Sequence, residues 1–307
     1  MILSAGLSPA WQQFLVFDAF RYGEVNRARE AIWCTAGKVT NAGNAAHHLG
    51  GPSLTLTVAG GTPLAEMDRE FAELGVPCRW IKTRAATRVC TTILDRAGGT
   101  MTELVENGRP LLQEELDAYR AAFAQEVAKA GVAIIIGSLP AGTPASVYRE
   151  MVEWADCPVV LDFWGEGLNS VLDLKPCVVK PNREELARTV GYPLEDDDQL
   201  CRAMRSLNQR GAQWVVVSQG GGPVWLSGGS GIFRLYPPPA AFVNPIGCGD
   251  CMAAGIAWAI REGREMVEAV KLGIAAAGEN LQQLLPARLD PDKVERRAAD
   301  VQVEEVR

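Results

Sequence analysis

No stretch of this 307-residue sequence is long and apolar enough to span a bilayer. The most apolar run, Val132–Ile136, is five residues long, against the roughly twenty that a membrane helix needs. Net positive charge is lacking too. Thirty Lys and Arg stand against 37 Asp and Glu, a formal charge of −7. That argues against a nucleic-acid partner, which requires a basic face, but not against a few local cations around a small anion. The opening Met1-Ile-Leu-Ser-Ala-Gly6 has no basic start of the secretory kind and reads as a first strand. Histidine is nearly absent. His47 and His48 are adjacent, so on a helix they point about 100° apart and do not chelate one ion together. The eight cysteines are scattered, and Cys248-Gly-Asp-Cys251 has C-x-x-C spacing without a second such pair. A structural zinc site would want that second pair or a His pair. Without an export signal, disulfides are not expected either. Reduced thiols in a cytoplasmic protein are the reading. Two nucleotide signatures are also missing. A P-loop would need G-x-x-x-x-G-K-[ST], but position 32 is Ile and Val39 follows Lys38; a dinucleotide fold would need G-x-G-x-x-G after the first strand, where Gly6-Leu-Ser-Pro-Ala10 stands.

What is present is ordinary in bulk and specific in detail. Hydrophobic residues make up 48% and charged residues 22%, as in a typical globular protein, and the length suits one large α/β domain. Short apolar runs at Leu54–Val58, Val132–Ile136, Val159–Leu161, Cys177–Val179 and Trp214–Val217 alternate with helix-period segments. Those segments lie at Pro110–Ala130, Thr143–Ala155, Arg183–Val190 and Leu194–Arg210. Such alternation predicts a doubly wound, mostly parallel sheet with helices on both faces. Ligands in such sheets sit beyond the carboxyl ends of the strands. Trp11–Cys34 and Ala85–Val105 break the rhythm and read as antiparallel strands, the second a hairpin about Ala97-Gly-Gly99. Together they form a discontinuous β lid, about 11–35 and 85–106, on a single domain spanning 1–307. Val301–Val306 alternates and reads as a closing edge strand.

The sharpest motif is Asn244-Pro-Ile-Gly247-Cys-Gly249-Asp250, running into Cys251-Met-Ala-Ala-Gly-Ile-Ala-Trp-Ala-Ile260. Two glycines before a helix aim backbone N–H groups at one point, which favours an anion. An acid beside such a point either caps the helix or handles a proton while the N–H groups stabilise a transferring phosphoryl group. With Ala36-Gly37-Lys38-Val-Thr-Asn41, Gly137-Ser138-Leu-Pro-Ala-Gly142, Lys180-Pro-Asn182-Arg-Glu-Glu185-Leu and Val217-Ser218-Gln-Gly220 in order, the chain resembles the PfkB/ribokinase-type carbohydrate kinases over essentially its whole length. Gly23-Glu-Val-Asn-Arg27, Thr87-Arg88 and Thr102-Glu103 resemble the branch of 1-phosphofructokinases and tagatose-6-phosphate kinases.

The resemblance implies a ribokinase-like fold with ATP and Mg2+ as co-substrate and cofactor. It implies Asp250 as the base, with Gly247, Cys248 and Gly249 holding the phosphoryl oxygens. Gln12, Arg27, Gly37, Lys38, Asn41, Arg88 and Ser138 would bind a sugar or sugar phosphate, the three cations forming a dianion site. Lys180, Asn182, Ser218, Gly220 and Asn280 would bind ATP, and Asn182 with Glu185 would organise the metal. Asn182 and Glu185 also have the spacing of a helix capping box. The lid is a candidate dimer interface. The departures cluster on the acceptor side: Gln12 stands where the branch has Asp, Ala36 and Val39 where it has Gly, and Val105 where it has Asn. An unphosphorylated acceptor, as in ribokinases or nucleoside kinases, and a non-catalytic phosphosugar sensor are the alternatives. Cys248, at a helix start where thiol pKa values can fall, raises the further idea of an oxidative switch.

Overall fold

The computed structural model describes residues 1–229 and 231–306. In chain order the strands are β1 (Ile2–Ala5), β2 (Ala10–Phe17), β3 (Glu30–Ala36), β4 (Ser53–Gly60), β5 (Cys78–Thr83), β6 (Val89–Asp95), β7 (Thr100–Val105), β8 (Val132–Ile136), β9 (Val159–Asp162), β10 (Val178–Val179), β11 (Trp214–Val217), β12 (Val224–Gly228), β13 (Gly231–Tyr236) and β14 (Gln302–Val306). The helices are α1 (Lys38–His48), α2 (Gly61–Glu73), α3 (Gln113–Val127), α4 (Ser146–Glu153), α5 (Glu166–Asn169), α6 (Arg183–Val190), α7 (Asp197–Gln209), α8 (Cys248–Arg261), α9 (Met266–Leu281) and α10 (Pro291–Ala299).

Ten strands form the central sheet in the order β14-β13-β12-β11-β10-β9-β8-β1-β4-β5. Pairings from β5 to β11 are parallel, and the β11–β12, β12–β13 and β13–β14 pairings are antiparallel. The apolar run of β8 is continuous because both of its faces are covered. Ala133 and Ile135 pack with Phe123 of α3 and Met151 of α4. Val132, Ile134 and Ile136 pack with Ala42 of α1, Ile256 of α8 and Ile274 of α9.

The second sheet has the order β3-β2-β6-β7. It consists of two antiparallel hairpins laid side by side, and the contact between them, β2 with β6, is parallel. The expectation of antiparallel lid strands thus holds within each hairpin and fails at the seam. Both β2 and β6 leave the main sheet in the same direction, so their pairing has to be parallel. Gln12 and Phe14 on the inner face are buried, whereas Trp33 and Leu104 on the outer face are exposed. Among the described residues no helix is long and apolar enough to cross a membrane, and all eight cysteines are free thiols.

Candidate active site

The carboxyl ends of the central strands open into a cleft of about 990 Å3 between the sheet and the lid. Its lid end is lined by Gln12, Arg88, Cys90, Glu103 and Val105, its middle by Gly37, Lys38, Asn41, Asp162, Lys180, Glu185 and the loop Gly247–Asp250. The far end is an apolar slot including Val224, Pro238, Phe242, Met252, Ile274 and Ala277.

The motif Gly-Cys-Gly-Asp begins α8 as its spacing predicts. Gly247 is the N-cap with φ 84°, a conformation that glycine adopts without strain. A Cβ there would also lie 3.0 Å from Cβ of Pro286. The N–H of Cys248 donates to the Pro245 carbonyl (3.2 Å), so it is not one of the anion donors the motif suggested. The N–H groups of Gly249 and Asp250 have no acceptor among the described residues. Asp250 does not cap the helix. Its Oδ2 accepts from Nδ2 of Asn41 at 2.8 Å, and the residue is 6% exposed. Burial pushes its carboxyl up to about 6, against the opposing pull of the Lys38 ammonium. A buried acid that ionises near neutrality, beside N–H groups at a helix start, suits proton abstraction from a hydroxyl.

Lys38 and Lys180 both converge on Asp162. Nζ of Lys38 is 2.9 Å from Oδ1 and Nζ of Lys180 is 2.9 Å from Oδ2. Burial alone would raise the Asp162 carboxyl, but the ammonium groups of Lys180 and Lys38 hold it below the usual carboxylate range. Burial would lower Lys38, and Asp162, Glu185 and Asp250 together raise it instead. Lys180 also stands 3.5 Å from where a Cβ at Gly249 would be, so its charge lies against the anion loop. Asp162 was not among the residues the motifs suggested. The available signal was an acid directly after Val159-Val-Leu161, at the carboxyl end of a parallel strand.

Asn182 and Glu185 form a full capping box at the start of α6, at 2.8 and 2.9 Å, which leaves Glu185 Oε1 with a 3.5 Å contact to Lys38. Both face the cleft, with Ser218 and Gly220 beside them. Gly37 needs to be glycine: its φ is 95°, and a Cβ would come within 2.9 Å of Ala10 N and Pro9 Cα. Gln12 is buried, and its amide donates to Thr92 Oγ1 at 2.8 Å.

Three of the suggested side chains, Arg27, Ser138 and Asn280, are placed otherwise than expected. Arg27 lies in the exposed turn between β2 and β3 and does not line the cleft. Ser138 is exposed outside it and bonds Ser8 Oγ at 3.4 Å. Arg88 lines the lid end, but its guanidinium donates to the Pro9, Glu106 and Ser8 carbonyls at 3.2–3.3 Å. With Lys38 engaged by Asp162, the three cations do not form one ring. Asn280 is fully buried behind the loop, where it bonds Ile246 O, Cys248 Sγ and the Ala287 N–H; it braces the anion loop and does not line the slot. Cys248 is pushed up to about 11 by burial, the reverse of what an oxidative switch needs. The apolar slot was missed, although Pro237-Pro-Pro239 marked a rigid loop there.

Comparison with known proteins agrees with this arrangement. The pattern of the pfkB family carbohydrate kinases matches residues 13–292. Among solved structures, a possible 1-phosphofructokinase of Thermotoga maritima is 21% identical with a TM-score of 0.91, over 100% of this chain and 99% of that one. Phosphofructokinase-2 of Escherichia coli in complex with fructose-6-phosphate is 23% identical with a TM-score of 0.83, over 97% of each chain. Its tetrameric inhibited form is 24% identical with a TM-score of 0.86, again over 97% of each. At these identities the structures establish the fold, and the residues matched by the family pattern establish the rest: the chain belongs to the pfkB family of carbohydrate kinases and is a sugar kinase.

Proposed function

We propose that this kinase transfers the γ-phosphoryl group of ATP to a hydroxyl of a sugar phosphate, with Asp250 as the base. The observation that carries the reading is the position and pKa of Asp250. It lies in one continuous cleft between an apolar slot suited to a flat base and a polar lid end suited to a sugar, with a carboxyl that ionises at about 6. Asp250 takes the proton of the attacking hydroxyl. The O–H bond breaks as oxygen bonds to phosphorus, and ADP leaves with the electrons of the P–O bond. The N–H groups of Gly249 and Asp250 and the Lys180 ammonium receive the charge of the transferring group, and the lid keeps competing water out.

The donor set suits Mg2+ carried on the nucleotide. That ion keeps most of its waters and takes one or two protein carboxylates. Among the described residues no three acidic, His or Cys side chains converge to hold a metal unaided. Glu185, with Oε1 turned into the cleft, would hold it through water. When bound, Mg2+ neutralises phosphate charge.

Arg88 at the lid end supports a phosphorylated acceptor. Glu103, at the same end, favours a second reading in which the acceptor is an unphosphorylated polyol, because a carboxylate repels a phosphate. An ADP-release assay over ketose phosphates, free sugars and nucleosides separates the two. Turnover highest with a sugar phosphate is the expected result, and equal or better turnover of free sugars would replace it with the second reading.

A further inference from the structure

One carboxylate outside the cleft touches the supports of both the lid and the anion loop. Glu70 on α2 accepts the backbone N–H of Thr35 through Oε2 (2.5 Å) and the Arg288 guanidinium through Oε1 (2.6 Å). Thr35 belongs to β3, an edge strand of the lid sheet, so its outward N–H is open to capture by a side chain. Two residues later the chain reaches Gly37, then Lys38 and Asn41, which hold Asp162 and Asp250.

Arg288 leads to the other support. The residue before it, Ala287, is fully buried with φ 64°, a conformation that persists in a non-glycine residue where its surroundings enforce it. The Ala287 N–H donates to Asn280 Oδ1 at 2.7 Å, Asn280 Nδ2 donates to Ile246 O at 2.8 Å, and Pro286 packs against Gly247. A chain of direct contacts therefore runs from the base of the lid, through Glu70 and Arg288, to the loop that presents Asp250. Neither Glu70 nor Arg288 lines the reaction cleft. They lie instead in a separate open groove of about 530 Å3 with Trp11, Trp33, Glu66 and Arg69.

We propose that the Glu70–Arg288 pair is a positioning device that couples the lid to the anion loop, so that the loop is set for transfer when the lid is seated over the acceptor. This rests on the kinase reading above. A carboxylate shared between a backbone N–H and a guanidinium is directional. Loss of either partner would let the two supports move independently, and small displacements of reacting groups are costly in rate.

The test counts ADP released and acceptor phosphorylated for the wild type, Arg288→Ala, Arg288→Lys and Glu70→Gln. The expected result for Arg288→Ala is a kcat lowered about 10- to 100-fold, a KM for ATP changed less than about twofold, and more ADP released than acceptor phosphorylated. Arg288→Lys should restore part of the coupling. So should millimolar guanidinium with Arg288→Ala, because the groove admits it. Glu70→Gln, which preserves shape, carries the same readout if Arg288→Ala does not fold. Variants that lose only thermal stability, and still release one ADP per product, would overturn the proposal and leave the kinase reading intact. A wild type that phosphorylates no acceptor would overturn both.

Discussion

The middle of the cleft and its lid end are built by opposite means. In the middle, Asp162, Lys180 and Asp250 are each 6% exposed or less, and the contacts of Asp162 with Lys38 and Lys180 and of Asp250 with Asn41 are 2.8 to 2.9 Å long. They project from β9, α1, α8 and the segment after β10, all fixed by the packing of the central sheet. At the lid end, Gln12 of β2, Glu103 of β7 and Arg88, the residue before β6, belong to a small sheet whose other face is open. Under the proposed function, the contrast puts transfer chemistry on the core and acceptor choice on a sheet whose residues can change with less disturbance to that core. The departures at Gln12, Ala36 and Val105 fall on lid strands, whereas Val39 is buried in α1 against the central sheet.

Breaking the middle should do the most damage. Asp250→Asn is expected to lower kcat between about 10²- and 10⁴-fold while leaving ATP binding by calorimetry unchanged. Its folded pKa is raised, so the stability linked to Asp250 is fully present below the unfolded value of 3.8 and lost as pH rises through about 6. The Asn variant should therefore unfold at an equal or higher temperature at pH 8. Substantial turnover by this variant would remove the base assignment.

Asp162→Asn leaves the buried Lys180 ammonium without its carboxylate and should cost about 3–5 kcal/mol in denaturant unfolding. The part from Lys38 is smaller, because that side chain is 39% exposed. Because the Asp162 pKa is depressed, its contribution should be present above pH 3.8 and fade as pH falls through the lower folded value. An unchanged midpoint in denaturant would mean that the two lysines do not need it.

The lid end should respond in affinity. Arg88→Ala is expected to raise the acceptor KM about tenfold with kcat little changed, the pattern of lost uniform binding. Glu103→Gln should leave the KM for a sugar phosphate unchanged or lower it. The reverse pair of outcomes would favour an unphosphorylated acceptor. The smallest effect belongs to Cys248→Ala, expected within about threefold in kcat because the thiol is a packed neutral group; complete inactivation by peroxide that this variant resists would revive the switch.

Periodicity made much of the core legible. Val132–Ile136 and Arg183–Val190 are element for element what the apolar pattern indicates, because tertiary burial and local propensity agree there. The hairpin of β12 and β13 was not legible, since its strands interrupt the alternation of strands and helices. Asp250 and Glu185 could be found because glycine and cap spacing marks helix starts. Asp162 is a lone acid, and only the parallel sheet brings it between two lysines 124 and 18 positions away. The grouping of Arg27 with Lys38 and Arg88 failed for the same reason in reverse: charge along a chain does not say which carbonyls and carboxylates will already have claimed it.

The most direct measurement of the central claim is the pH dependence of kcat/KM with the best acceptor, taken with the wild type between pH 5 and 8.5. The Asp250 carboxyl must be ionised to accept a proton, so kcat/KM should rise with unit slope and level off above about pH 6, with no such limb in the residual rate of Asp250→Asn. A profile flat across this range in the wild type, with chemistry shown to be rate-limiting, would contradict it.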